Sequence, residues 1–298
     1  MSKSKIAIIG ANGMLASMLR EIAPETIELY PFDLPEFNIT DAEQVYEVLG
    51  ELQPQAIVNC AAFTQVDNCE TQQELAFAVN GQGPANLATT AKKIGSVLVH
   101  ISTDFVFAGD EKKPYSEEAT SVPLSVYGAS KLQGEQAIVN SGLDKYYIVR
   151  TSWLYGPNGP NFVETIIRLA QEREELGIVA DQTGTPTYTA DLANAIWILL
   201  LVVNNGGTSI SAPYGIYHYS DAGVCTWYDF AREIVRQLRQ NGAVLKVKHI
   251  KPITTAEYPL PAIRPAYSVM SKEKIVAATG VIVPAWQESL RKYLINRV

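Results

Sequence analysis

Residues that bind metals or cross-link chains are scarce in this sequence. Cys60, Cys69 and Cys225 are an odd number without a C-x-x-C pair, which argues against a disulfide frame and a zinc site. His100, His218 and His249 are scattered, without metal-ligand spacing. No basic block occurs and the net charge is -7, so no nucleic-acid partner is expected. The apolar run over 195–203 is too short to span a bilayer and predicts a buried helix. Nothing like a signal peptide follows Met1-Ser2-Lys3-Ser4-Lys5, so the expectation is a reduced, cytoplasmic protein with no membrane partner. Cations are also missing locally: between Arg20 and Lys92 there is no lysine or arginine.

What is present is a series of short apolar runs alternating with helical patterns. Lys5-Ile6-Ala7-Ile8-Ile9 predicts a strand, and Gly10-Ala11-Asn12-Gly13-Met14-Leu15-Ala16 turns into a helix running to about Glu21. A strand, a glycine turn and a helix N-terminus together make an anion site, where backbone N–H groups face a pyrophosphate. Further strands are predicted over 26–30, 56–62, 96–102 and 146–150, with helices over 41–49 and 70–93 between them and Thr40 as the N-cap of the first of these. The fold class is therefore α/β, a doubly wound parallel (Rossmann) sheet that binds ligands at the carboxyl ends of its strands. Asp33 lies after the second strand, just over twenty residues beyond the glycines, either as a ribose-binding acid or as a turn residue between Pro31 and Pro35. The small residues closing the third strand, Ala61 and Ala62, leave room for a flat ligand.

Tyr127 and Lys131 stand four apart in Val126-Tyr127-Gly128-Ala129-Ser130-Lys131, so on a helix they share one face. A cation beside a phenol stabilises the phenolate and lowers its pKa, which suits proton transfer to or from a carbonyl oxygen. Thr103 follows the fourth strand at the same ligand edge. Beyond Arg150 the pattern loosens: helices are predicted over 161–173, 189–203 and 226–240, a short strand over 246–250, and a proline-rich loop over 251–265.

The motifs Gly10-x-x-Gly13-x-x-Ala16, Ser102-Thr103-Asp104-Phe105-Val106-Phe107 and Tyr127-x-x-x-Lys131, in this order, resemble the extended short-chain dehydrogenase/reductase family. Arg150-Thr151-Ser152-Trp153-Leu154-Tyr155-Gly156, Asp181-Gln182-Thr183-Gly184-Thr185-Pro186-Thr187 and Arg264-Pro265 narrow the resemblance to the dTDP-4-dehydrorhamnose reductases. It implies a dinucleotide-binding domain over 1–150, with 187–220 returning to it, and a smaller C-terminal α/β substrate domain over 151–298. It also implies NAD(H) or NADP(H) as cofactor, a dTDP-sugar as substrate, and reduction of its C4 ketone. Tyr127 would donate the proton, Lys131 would hold the nicotinamide ribose and lower the tyrosine pKa, and Thr103 would hydrogen-bond the carbonyl oxygen. Cofactor contacts would come from Gly10, Asn12, Gly13, Met14 and Leu15, from Asp33, Asn38 and Ile39, and from Ala61, Ala62 and Phe63. Asp104, Phe105 and Trp153 would contact sugar or nucleotide, and Arg264 is a candidate diphosphate clamp.

Three other readings stay beside this one. A 4,6-dehydratase of the same superfamily carries Asp-Glu after the threonine, whereas here Asp104 precedes Phe105, which disfavours it. A 4-epimerase is not excluded by that residue. The regulatory subunit of methionine adenosyltransferase, a binding protein, shares the resemblance. Some reductases bind magnesium through glutamates at a dimer interface. The matching position here is Met18, no magnesium ligand, so no metal is expected and the homodimer it would support is in doubt. With carboxylates but no cations between Tyr30 and Asp41, and with Arg20 too far along its helix to reach back, NADH is expected to serve at least as well as NADPH.

Overall fold

The computed structural model describes residues 3–204 and 212–297; the 205–211 part of the expected return segment lies outside them. Alternation organises the central strands. In β1 (Ser4–Ile9), Ile6 and Ile8 enter one apolar cluster while Ala7 and Ile9 enter another on the opposite side. Side chains of a strand point alternately to two faces, and here both faces are apolar, so helices must cover both.

The sheet has six strands: β1, β2 (Ile27–Phe32), β3 (Ala56–Asn59), β4 (Val97–Thr103), β5 (Tyr146–Thr151) and Gly215–His218. Their order is Gly215–His218, β5, β4, β3, β1, β2, and every pair is parallel. The chain leaves β1 for β2 on one side and returns for β3 on the other. This reversal opens a crevice beyond the carboxyl ends of β1 and β3.

On one face lie α1 (Met14–Glu21) and the helix Thr189–Asn204, which pack on each other. Met18 is buried there, 4% exposed, in the core. The other face is covered by α2 (Ala42–Leu52) and the helices Gly83–Ile94 and Val126–Asn140. A separate cluster joins the helices Phe162–Glu172, Trp227–Gln240 and Trp286–Asn296 to a two-stranded parallel sheet of Glu175–Val179 and His249–Ile253.

Several boundaries differ from expectation. Asp41, not Thr40, caps α2, its Oδ1 accepting from the Glu43 and Gln44 amides at 3.1 Å each. Thr40 is engaged elsewhere, donating its amide and its hydroxyl to Asn38 Oδ1. The expected helix 70–93 starts at Gln73, and at Ala78–Gln82 it widens into a π turn, continuing from Gly83 without a break. Pro84 is tolerated because it sits in the first turn of Gly83–Ile94. The strand expected over 246–250 lies at His249–Ile253 and admits Pro252, which the edge of a two-stranded sheet permits.

The helix Val126–Asn140 carries the Tyr127–Lys131 pair, and Gly128 sets its seat. A Cβ there would lie 2.2 Å from the Phe105 carbonyl oxygen, which is backbone and cannot turn aside. Gly128→Ala should therefore destabilise by roughly 1–3 kcal/mol, the usual range for overpacking. Denaturant titration measures it; wild-type stability with an unmoved Tyr127 would refute this seating.

Candidate active site

The crevice contains two adjoining cavities. The larger, ≈ 420 Å³, is lined by the glycine loop from Gly13 to Ala16, by Cys60 and Ala62 after β3, by Thr103, Asp104 and Phe105, by Tyr127 and Lys131, and by Trp153. The smaller, ≈ 230 Å³, is lined by Gly10, Gly13, Asp33, Asn38, Ile39, Ala61 and Ala62, among others. They share Gly13, Cys60 and Ala62, so one elongated ligand can lie across both. A wider surface groove of ≈ 660 Å³ runs along the helix Trp227–Gln240 and the strand His249–Ile253, away from all of these residues.

Backbone geometry makes this floor. Gly10 has φ +74°, and a Cβ on it would meet the Ala61 amide nitrogen at 2.6 Å. Only glycine brings β1 and β3 this close and leaves the loop open to a phosphate group. The Asp33 carboxylate closes one end, accepting from the Asn12 amide at 2.7 Å and the Leu34 amide at 2.8 Å. Asp33 is thus both a turn acid and a wall of the smaller cavity.

Asn12 and Phe63 line neither cavity. Phe63 is instead pinned by its backbone: its amide donates to Asn80 Oδ1 and its carbonyl accepts from Asn80 Nδ2, at 2.8 and 3.0 Å. Asn80, fully buried in the π turn, also reaches Ser130 Oγ at 3.0 Å. Nothing in the sequence singles Asn80 out; its place becomes visible only when the π turn meets the Tyr127 helix. Arg20 corrects an expectation. It does reach back, Nη1 donating to the Ala11 carbonyl at 3.4 Å, because α1 turns its last cation toward the loop that starts it.

Thr103 ends β4, and its hydroxyl caps the short turn Asp104–Val106, accepting from the Phe105 amide at 3.2 Å and donating to Asp104 Oδ1 at 3.1 Å. Asp104 is therefore not the capping residue. It is 2% exposed, and its Oδ2 has no hydrogen-bond partner. Burial raises its pKa to about 6, against the lowering effect of the Ser268 and Thr103 hydroxyls. The Phe105 ring meets Tyr127 edge-on at 5.4 Å.

Lys131 is not a solvated lysine. Only 2% exposed, it donates to the Ile101 carbonyl at 2.7 Å, and its Nζ lies 3.3 Å from His100 Nε2. Burial pulls its pKa down to about 8, opposed by Glu135 and Cys60. Burial also raises the Tyr127 pKa, with Thr103 acting to lower it and Asp104 to raise it. The expectation that Lys131 lowers the Tyr127 pKa is thus reversed here: desolvation dominates, and the lysine is spent on Ile101 and His100. The phenol is therefore protonated at neutral pH, as an ordinary tyrosine is, and that is the form a proton donor needs.

Trp153 faces the larger cavity with a left-handed backbone, φ +47°, and stacks on Trp227 with 3.5 Å between ring centroids. That conformation is unfavourable for a bulky residue and persists where its surroundings hold it. Arg264 stands apart from both cavities. Its Nη1 and Nη2 donate to Asp67 Oδ1 and Oδ2 at 2.9 and 2.8 Å, and this pairing holds the Asp67 carboxyl below its usual range. Among the described residues no cluster of three or more His, Cys, Asp or Glu could hold a metal, and no helix is long and apolar enough to cross a membrane.

The family described as the RmlD substrate binding domain matches residues 4–298. The chain is 41% identical over 295 residues to the spore coat polysaccharide biosynthesis protein SpsK of Bacillus subtilis, covering 99% of this chain and 98% of that one. It is 37% identical over 285 residues to dTDP-4-dehydrorhamnose reductase of Burkholderia thailandensis, covering 95% of each. The solved structure of dTDP-4-dehydrorhamnose reductase from Bacillus anthracis, in complex with NADP, is similar with a TM-score of 0.89 at 41% identity, covering 98% and 99% of the two chains. Matched over nearly its whole length in sequence and in fold, this chain belongs to the RmlD family, that of the dTDP-4-dehydrorhamnose reductases.

Proposed function

We propose that the protein reduces the C4 ketone of dTDP-4-dehydro-L-rhamnose to give dTDP-L-rhamnose, a precursor of surface polysaccharide. The observation that carries this reading is the convergence of Thr103, Tyr127 and Lys131 on one cavity that continues into the glycine-loop cavity. The Gly10 cradle fits a dinucleotide, with residues 1–150 holding it and 151–298 supplying most of the sugar-nucleotide side. When bound, the nicotinamide supplies the hydride.

The chain's own groups then act on the carbonyl oxygen. Thr103 orients it by hydrogen bonding, and Tyr127 delivers its phenolic proton as negative charge develops there. Lys131 would hold a ribose hydroxyl, and its ammonium would return a proton to the tyrosinate, leaving the amine to recover one from solvent. Asp104 and Trp153 position the sugar, with Phe105 bracing the tyrosine ring. A 4-epimerase would use the same three residues, and a regulatory subunit would need none of them. Oxidation of reduced cofactor on adding the keto sugar, with product configuration read by NMR, separates the three.

Tyr127→Phe should lower turnover by roughly 10²–10⁴, the contribution of one general acid, while the dinucleotide still binds. Wild-type turnover in that variant would remove Tyr127 from the chemistry.

Asp104 gives the acid side of the pH profile. Its carboxylate is the stronger hydrogen-bond acceptor, so kcat/KM for the sugar should fall as pH drops through about 6. Asp104→Asn should flatten that limb, lower the plateau and leave the cofactor Kd unchanged. An acid limb that survives the substitution would assign it to another group.

For the cofactor, NADH should serve at least as well as NADPH, because Asp33 walls the smaller cavity and repels a 2′-phosphate. Arg20 brings a cation to the loop, so Arg20→Ala should depress kcat/KM for NADPH more than for NADH. A tenfold or greater preference for NADPH in the wild type would overturn the assignment.

A further inference from the structure

Behind Lys131 lies a buried chain of polar groups to which the reaction outlined above gives no role. Asn59 ends β3 and His100 sits opposite it in β4, paired in register. Both are fully buried. Asn59 Oδ1 accepts from the Ala61 amide at 3.1 Å, which fixes the orientation of the side-chain amide. Its Nδ2 is then the atom facing His100 Nδ1, at 3.0 Å. An amide NH2 has only protons to offer, so Nδ1 must accept. Burial keeps His100 neutral, with its pKa well below the usual value. A neutral imidazole that accepts at Nδ1 carries its proton on Nε2. That N–H points at Lys131 Nζ, 3.3 Å away.

A donor aimed at Nζ favours the amine, whose lone pair accepts, over the ammonium, which has only protons to present. We propose that the Asn59–His100 pair is a positioning device for Lys131: it fixes the imidazole as the Nε2–H tautomer and thereby biases the lysine toward its neutral amine. This rests on the reading of Lys131 as the ribose-holding, proton-balancing group. The other groups facing the ammonium are the Ile101 carbonyl, which accepts from Nζ at 2.7 Å, Glu135 one turn along its own helix and Cys60 beyond β3, and all three favour the charged form. Glu135 is already engaged by Arg150, and burial pushes the Cys60 thiol up to about 12, so it stays neutral. The histidine is thus the group that opposes charge on Lys131 from the strand side. Its effect is to let the lysine give up its proton more readily than the carboxylate and carbonyl around it favour.

Nitrogen-15 NMR of the histidine rings tests the tautomer in the protein without ligands. With three histidines in the chain, the His100 signals are assigned by their loss in His100→Gln. The expected wild-type state is neutral Nε2–H between pH 6 and 9. An imidazolium or an Nδ1–H ring would overturn the proposal, whatever the activity. The second measurement is Asn59→Ser, whose hydroxyl can accept as well as donate. It should let the ring move toward Nδ1–H, turning a lone pair to Lys131, and shift the alkaline limb of kcat/KM for the dinucleotide upward by half a pH unit or more. His100→Gln should keep the wild-type limb, because its amide can face Asn59 with oxygen and Lys131 with N–H. Tautomer and limb failing to move together in Asn59→Ser would also overturn it. If Asn59→Ser does not fold, the wild-type tautomer alone decides. Undiminished turnover in Lys131→Met would defeat the underlying reading of Lys131 instead, and the two failures are told apart.

Discussion

The buried pair of Arg150 and Glu135 holds the cavity side of this molecule together. Arg150 comes from β5 and Glu135 from the Tyr127 helix; they are 3% and 2% exposed and meet at 2.6 Å. Arg150 Nε also reaches both carboxylate oxygens, at 2.9 and 3.2 Å, and Ser102 donates to the same carboxylate from β4. One ion pair thus ties together two neighbouring strands and the helix that lies over them. Losing either partner would strand a buried charge, at a cost of about 3–5 kcal/mol. Ser102 immediately precedes Thr103, and Glu135 lies one turn beyond Lys131. The pair therefore sets the separation between hydroxyl, phenol and ammonium.

Around that anchor, desolvation is the common thread of the cavity. It holds Tyr127 protonated, weakens the charge on Lys131 and raises Asp104 toward neutrality. All three shifts share one physical cause, since burial disfavours whichever form is charged. A cleft that excludes water in this way strengthens each remaining hydrogen bond to a carbonyl oxygen. The same burial makes the Asn59–His100 contact consequential, because in bulk water an N–H facing an ammonium would simply be screened.

The alternation of apolar runs with helical patterns is enough to specify a parallel sheet covered on both faces, because a strand such as β1 with two apolar faces has no other stable setting. The glycine loop, Thr103 and the Tyr127–Lys131 spacing are legible as lining of one cleft because each depends on local geometry: a turn, a strand end, and one turn of helix. Asp33 and the small residues at the end of β3 are legible for the same reason, and the family is legible from the order of the glycine loop, the Ser102–Phe107 stretch and the Tyr127–Lys131 pair. Residues whose role depends on distant partners are not. Asn80, His100, Asn59 and Glu135 carry no local signature, and their partners lie up to 50 positions away in the chain. The reach of Arg20 is not legible in sequence because it depends on the pitch of α1. The direction of the Tyr127 pKa is hidden as well, because sequence shows which charges are near but not how much water is lost. Sequence alone determined which groups stand at the ligand edge, since backbone periodicity places them there. The tertiary structure decided their protonation and pairing, because both depend on solvent exclusion and on contacts between strands far apart in the chain.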